Sequence, residues 1–446
     1  MKKQEMKIIH PYAAGIDVGS KSHFVAVGQN ERDVEEFGVY TRDHLAMIEY
    51  LRDHRITTVA MESTGSYWQT LFAALQDAGF EVLLVSGHQT KNVRAKTDVK
   101  DCQWIQKLHS LGLLRGCFLP GSEISRLRTV YRHRQSLIEQ SSKMSNKMQK
   151  NLRLLNIRLD VELSDITGKS GMNIIEAILQ GETDSRVLAG LADGRVKKSK
   201  KEIADALQGH WGKEDLLYEL RDCYDIYCFL QNKIARADQK IEELLTGLNA
   251  ESEFEPPRTP LAKKQTKGKN QPRFNLSLLS YQYYGVDLMA IDSISSSTVL
   301  ALLSEIGDGI YRFKTSKEFV FWLRLAPNNR ISGGKVISSR TPKGANKFGL
   351  ALRNAANTID NKKEGALVSF FKRIAYKKGR GAAITATARK LATIIYNMII
   401  LQEEYRPMGS AEYQEIIKRK RIRSIKKMMK NSNILIGELS MHYSIS

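Results

Sequence analysis

At 446 residues the chain exceeds what one hydrophobic core serves, and a 42% hydrophobic content excludes a wholly disordered polypeptide, so at least two folded domains are expected. Lys plus Arg number 69 against 48 Asp plus Glu, a formal charge of +21, which makes nucleic acid the natural partner and predicts steep salt sensitivity. Cys102, Cys117, Cys223 and Cys228 lack zinc-site spacing, no apolar run reads as long enough to span a bilayer, and Met1-Lys2-Lys3-Gln4-Glu5 opens no signal peptide, so a cytoplasmic protein with no membrane partner is expected.

In chain order, Tyr12 to Gly19 reads as a buried strand carrying one charge, Asp17, followed at hairpin distance by strands at Phe24–Val27 and Glu36–Tyr40. Thr41 is expected to cap a helix through Leu45, Ile48 and Leu51. A strand at Thr57–Met61 then delivers Glu62 at its C-terminal end, a helix follows from about Tyr67 to Ala78, and Phe80–Val85 is the fifth strand. The next helix carries Asp98 and Asp101, three residues apart and so on one face. Singly, Asp17 suits a turn, Glu62 a helix cap, and Asp98 and Asp101 a solvated face. Together, at strand ends and on one helix of a basic protein, the four carboxylates look like a cage for Mg²⁺, a hard ion that takes oxygen ligands and, in pairs, stabilises both oxygens of a phosphoryl transfer.

After Gly121, Leu127, Val130, Arg134, Leu137, Ser141, Met144, Met148, Leu152 and Leu155 recur at heptad-like spacing on a long basic helix. A partner stripe runs through Leu217, Leu220, Tyr224, Tyr227, Gln231, Ile234, Asp238, Ile241, Leu244 and Leu248. The simplest structure is an antiparallel coiled-coil arm with a helical insert at about 165–212. Arg126, Arg128, Arg132, Lys143, Lys147, Lys150 and Arg153 lie outside the first stripe, and because acids near them in sequence are sparse they are expected to meet phosphate. Pro256-Pro257-Arg258-Thr259-Pro260 and the lysines after it mark a flexible basic linker.

Beyond it, a helix is expected from Thr298 to Ile306. Arg330-Ile331-Ser332-Gly333-Gly334-Lys335 then places a serine before two glycines, where the backbone can turn tightly and let a phosphate approach. Alone, Ser332 suits a turn. Arg340, Lys343, Lys347 and Arg353 lead into a helix through Leu352, Ala355, Ala356 and Ile359, and Lys418 to Arg423 begin a basic helix or tail.

The element order β-β-β-α-β-α-β-α resembles an RNase H-like fold of the RuvC type. Gly15-Ile16-Asp17, Glu62-Ser63-Thr64-Gly65, Lys96 to Asp101, Ala326-Pro327 and Ile331 to Lys335, in that order, resemble the DEDD-type insertion-sequence transposases, the family of bridge-RNA-guided recombinases. The resemblance implies an α/β plus α architecture. Its parts are a RuvC-like domain at 1–118, a coiled-coil arm at 119–250, a linker at 251–277, a mainly helical serine-bearing domain at 278–408 and a basic C-terminal segment at 409–446. It further implies that Asp17, Glu62, Asp98 and Asp101 bind Mg²⁺ and that Ser332 forms a phosphoserine link to cleaved DNA. Arg126, Arg132, Lys143, Lys147, Lys150, Arg330, Lys335, Arg340, Lys343 and Lys347 are the expected nucleic-acid contacts. The implied partners are a guide RNA, donor and target DNA, and further copies of the chain as a dimer or tetramer. One departure is Ser293-Ile294-Ser295-Ser296-Ser297, where the family often carries a Gly-Ile-Gly turn. Two alternatives stay open: a RuvC-like nuclease in which water attacks, and a non-catalytic RNA-binding scaffold.

Overall fold

The structure, a computed structural model, describes residues 6–91, 97–255, 261, 268–342, 344 and 346–431. The chain divides into two compact units between Leu119 and Pro120.

In the first unit, β1 (Ala13–Val18), β2 (His23–Ala26) and β3 (Val34–Phe37) form an antiparallel meander. The helix α1 (Thr41–Asp53) crosses to β4 (Thr58–Glu62), parallel to β1, and α2 (Trp68–Asp77) crosses to β5 (Glu81–Val85), parallel to β4. The sheet order is β3-β2-β1-β4-β5, a five-stranded mixed sheet consistent with an RNase H-like domain. Ile16, Val25, Met47, Leu51, Val59, Met61, Leu71 and Leu75 form its core on the face covered by α1 and α2. After the short α3 (Gly87–Thr90), α4 (Asp98–Ser110) lies on β1. It comes so close that a Cβ at Gly15 would run into the backbone of Cys102 and Gln106.

Two local expectations are corrected. The third strand ends at Phe37 because Tyr40 is the extended residue preceding α1, its N–H donating to the Asp43 carboxylate at 3.1 Å. Thr41 is therefore the first helical residue and not the cap.

In the second unit, α5 (Ser122–Leu154) leads into four short helices, α6 (Leu159–Glu162), α7 (Lys169–Leu179), α8 (Ser185–Gly190) and α9 (Lys200–Ala206), and the chain returns along α10 (Glu214–Leu248). The pairs Arg134–Asp238 and Ser141–Gln231 show that α5 and α10 run antiparallel. Ile124, Leu127, Tyr131, Arg134, Leu137, Ser141, Met148 and Leu152 are buried on α5, so Tyr131 fills the place expected of Val130. On α10 the seam runs through Leu220, Cys223, Tyr227, Leu230, Ile234, Ala237, Ile241 and Leu245. It lies one residue from the expected stripe at Tyr224, Gln231 and Leu244; at the first two the smaller or more apolar neighbour, Cys223 and Leu230, turns inward, and at the third one of two adjacent leucines does. The short helices pack Ile174, Ile178, Leu188 and Ile203 against Met148, Leu152, Leu220 and Tyr227.

The C-terminal part holds α11 (Leu276–Tyr284), α12 (Ser296–Glu305), α13 (Ser316–Trp322), the hairpin β6 (Arg330–Ser332) and β7 (Lys335–Ser338), then α14 (Lys347–Thr358), α15 (Ala366–Lys378), α16 (Arg380–Leu401) and α17 (Ser410–Asn431). The expectation that no segment could span a bilayer needs correcting, since α16 is long and apolar enough by length and composition. It is nonetheless the central helix here, packed against α13, α14 and α15 and burying Ala383, Ala388, Leu391, Ala392, Ile395 and Ile399. Residues 256–260 and 262–267 of the linker expected at 251–277 lie outside the described residues, and the end of that segment is packed. Phe274 is buried, the Asn270 carbonyl accepts from Arg134, and α11 has begun at Leu276.

Candidate active site

Asp17 stands at the end of β1, one register step past Ile16, whose parallel partner Met61 precedes Glu62, so the sheet brings Asp17 and Glu62 to the same end of neighbouring strands. Asp101 lies on α4, the helix packed on β1. Both Asp17 and Asp101 act on the Cys102 thiol, whose pKa is pushed up to about 12, first by burial and then by these two charges. Asp98 opens α4 and is exposed, with Thr97 capping the helix by accepting from the Lys100 N–H. The Glu62 carboxylate accepts from the Thr90 hydroxyl at 2.5 Å and from Thr64 at 3.4 Å.

Carboxylate oxygens alone make a donor set suited to a hard divalent ion. In this arrangement Thr90 engages Glu62, and among the described residues no three His, Cys, Asp or Glu side chains are gathered about one point. The structure thus sets Asp17 and Glu62 at the same end of neighbouring strands and Asp101 on the helix packed against β1, without gathering the three about one point among the described residues, and leaves Asp98 exposed at the helix start.

Ser332 ends β6 and faces Lys335 of β7 across the hairpin, with Ile331 opposite Val336. Gly333 and Gly334 both take positive φ, 54° and 74°, the two-residue turn whose twist matches that of the strands it joins. The whole hairpin is exposed from Arg330 to Ile337. Ser332 is therefore presented on a projecting loop beside two cations, and among the described residues Arg330 and Lys335 form no ion pair. Lys343 lies outside the described residues.

The basic surface divides into two kinds. Lys143, Lys147 and Lys150 are exposed along α5 and form no ion pair among the described residues. The expectation that acids are sparse around the arginines fails. Arg132 makes a two-pronged pair with Glu305 of α12, at 2.9 and 2.7 Å, Arg128 donates to the Glu305 carbonyl at 2.6 Å, and Arg126 pairs with Glu123 at 2.9 Å. Glu305 is buried and 173 residues from Arg132, so only the packing of α12 on α5 supplies it.

That same packing builds a cavity that sequence reasoning missed. Arg132 and Lys347 line it together with Ser293, Ser295, Ser297 and Thr298 at the start of α12. Ser293 adopts φ 65°, the conformation for which a glycine is the usual choice, so the turn survives without the expected glycine. Its hydroxyl is buried with no hydrogen-bond partner among the described residues, while Ser295 bonds the Ser297 hydroxyl at 2.9 Å.

Two family models match the chain. Residues 14–157 match the DEDD_Tnp_IS110 transposase model, a span that holds Asp17, Glu62, Asp98 and Asp101. Residues 287–367 match the Transposase IS116/IS110/IS902 family, a span that holds Ser332. No curated protein matches the chain.

Proposed function

Because the chain belongs to the IS110-type DEDD transposase family and is thus a transposase of a mobile element acting on DNA, we propose that it cuts and rejoins DNA through a covalent link to Ser332, under the direction of a guide RNA. The observation that carries this reading is the presentation of Ser332. It is exposed, set before two left-handed glycines and opposite Lys335, within the second matched span.

In the proposed step the Ser332 hydroxyl attacks a phosphodiester. A serine Oγ–P bond forms, the P–O bond to one sugar oxygen breaks, the serine loses its proton and the released sugar oxygen gains one. Rejoining reverses this, as a DNA hydroxyl attacks the phosphoserine and frees Ser332. Arg330 and Lys335 hold the phosphate and offset its charge. Asp17, Glu62, Asp98 and Asp101 would hold Mg²⁺, which when bound supplies charge stabilisation at phosphoryl oxygens. Lys143, Lys147 and Lys150, with Arg340, Lys343 and Lys347, are assigned to nucleic-acid backbone. The seam between α5 and α10 is read as a coiled-coil arm serving assembly into a dimer or tetramer in the cytoplasm, at the nucleoid. Arg126 and Arg132 keep a share in backbone contact only where their carboxylate partners release them.

The test is denaturing gel analysis of cleaved DNA. The expected result is a protein-linked end that disappears in Ser332→Ala, while nucleic-acid affinity stays near normal. Free ends only, or adducts surviving the substitution, would refute the serine and favour attack by water. Asp101→Asn is expected to abolish Mg²⁺-dependent recombination.

A further inference from the structure

A cavity of about 830 Å³, open to solvent, lies at the foot of the serine hairpin, lined by α15, α16 and the segment that follows β7. Its size is that of a pocket for a small ligand rather than a flat contact surface. Leu325, Phe370, Ile374 and Ala386 give it an apolar floor. Arg340, Lys378, Arg389 and Lys390 stand around it, and no Asp or Glu is among its lining residues. Among the described residues none of these four cations forms an ion pair. Lys390 is instead set over the Phe370 ring at 5.0 Å and the Tyr413 ring at 5.1 Å. Burial and the nearby Lys420 and Arg373 lower its pKa, so an incoming anion would relieve that ammonium.

An apolar floor beneath four uncompensated cations asks for a ligand with a flat apolar body and an anionic end. A base pair in a duplex hides its faces by stacking and cannot supply that body; an unpaired nucleotide can. The cavity also has a fixed relation to Ser332. Asn328 N–H donates to the Arg340 carbonyl at 3.0 Å, continuing the hairpin ladder to the cavity edge. Four steps along the chain lead from Asn328 to Ser332, roughly 13 Å at strand rise. One strand can therefore pass both.

We infer that this cavity receives an unpaired nucleotide of the DNA strand that Ser332 attacks, its base on the apolar floor and its phosphate on Arg340 and Arg389. The assignment to that strand rests on the function proposed above, whereas the pocket's preference for an unpaired nucleotide does not.

The experiment uses the full chain and three probes: a gapped DNA duplex with 2-aminopurine at the unpaired position, the same duplex fully paired, and a single-stranded RNA. Ala386→Trp fills the floor from a half-buried position, and Arg389→Ala removes an exposed cation that holds nothing else. Each is expected to weaken binding to gapped DNA about 10-fold, in line with the worth of one stacked base, with paired duplex unchanged. The wild type should change 2-aminopurine emission on binding and Ala386→Trp should not. Equal loss on paired duplex would show a general basic surface and overturn the pocket, as would no loss on any probe. Loss confined to RNA would overturn the DNA assignment. Circular dichroism melting checks the fold of Ala386→Trp, and Arg389→Ala decides the matter if that variant is unstable. Adduct formation is scored separately. Missing wild-type adducts with intact pocket effects would sink the serine reading alone, and normal adducts without pocket effects would sink the pocket alone.

Discussion

Gly15 shows how one residue positions a site. With no Cβ, it lets the backbone of α4, the helix that carries Asp101, rest on β1, the strand that carries Asp17. Gly15→Ala inserts a methyl group into backbone that cannot yield, an overpacking expected to cost on the order of 1–3 kcal/mol; hydrogen exchange at the α4 amides should rise accordingly, and unchanged protection would contradict the contact. Two histidines of the same unit make its stability depend on pH. Burial lowers the pKa of His23 and of His109 from 6.5 to about 4, with His44 and His10 respectively adding to the effect. Between these values the unfolded chain binds protons that the folded unit refuses, so stability is full above pH 6.5 and falls as pH drops toward 4. Melting midpoints measured across that window should decline on acidification, and replacing both histidines by Gln should flatten the profile. The places of Asp17 and Glu62 at the ends of neighbouring strands were legible from the apolar runs that precede them. Thr90, which holds Glu62, was not, since a threonine on a four-residue helix carries no periodic signal.

The paired helices show what patterning decides at the scale of elements. Heptad spacing predicts both long helices and their antiparallel return, yet the face of α10 is off by one residue at three places. Where Cys223 adjoins Tyr224 and Leu230 adjoins Gln231, period alone does not choose between neighbours. The buried Arg134–Asp238 pair at 2.6 Å, with Arg134 only 1% exposed, sets the register between the two helices. Asp238→Ala leaves a guanidinium buried without its counter-charge and is expected to destabilise the second unit by about 3–5 kcal/mol, whereas replacing both partners by Leu and Met should be close to neutral. Urea unfolding of the two variants measures the difference, and equal effects would show that the pair contributes only packing. The glycine turn of the serine hairpin was legible because two adjacent glycines leave few other conformations so favourable.

For the whole molecule, the charge of +21 predicted a polyanion partner, and the structure sorts that charge into free and committed cations. Lys143, Lys147 and Lys150 have no ion-pair partner among the described residues. If they meet phosphates, each change to Ala should reduce the slope of log affinity against log salt by about 1 for every sequence tested; an unchanged slope in the triple variant would remove them from the interface. Arg132 should alter that slope less, because Glu305 already neutralises it. By itself the sequence determined the strand and helix order, the two long helices, the carboxylates at the ends of β1 and β4 and the serine turn, all of which depend on residues within a few positions of one another. The pairing of Arg132 with Glu305 across 173 residues, the role of apolar α16 as a core helix and the cavity at the hairpin foot were decided only by tertiary structure. Each depends on which faces pack together, and a local pattern states that a face is apolar or charged without stating what will cover it.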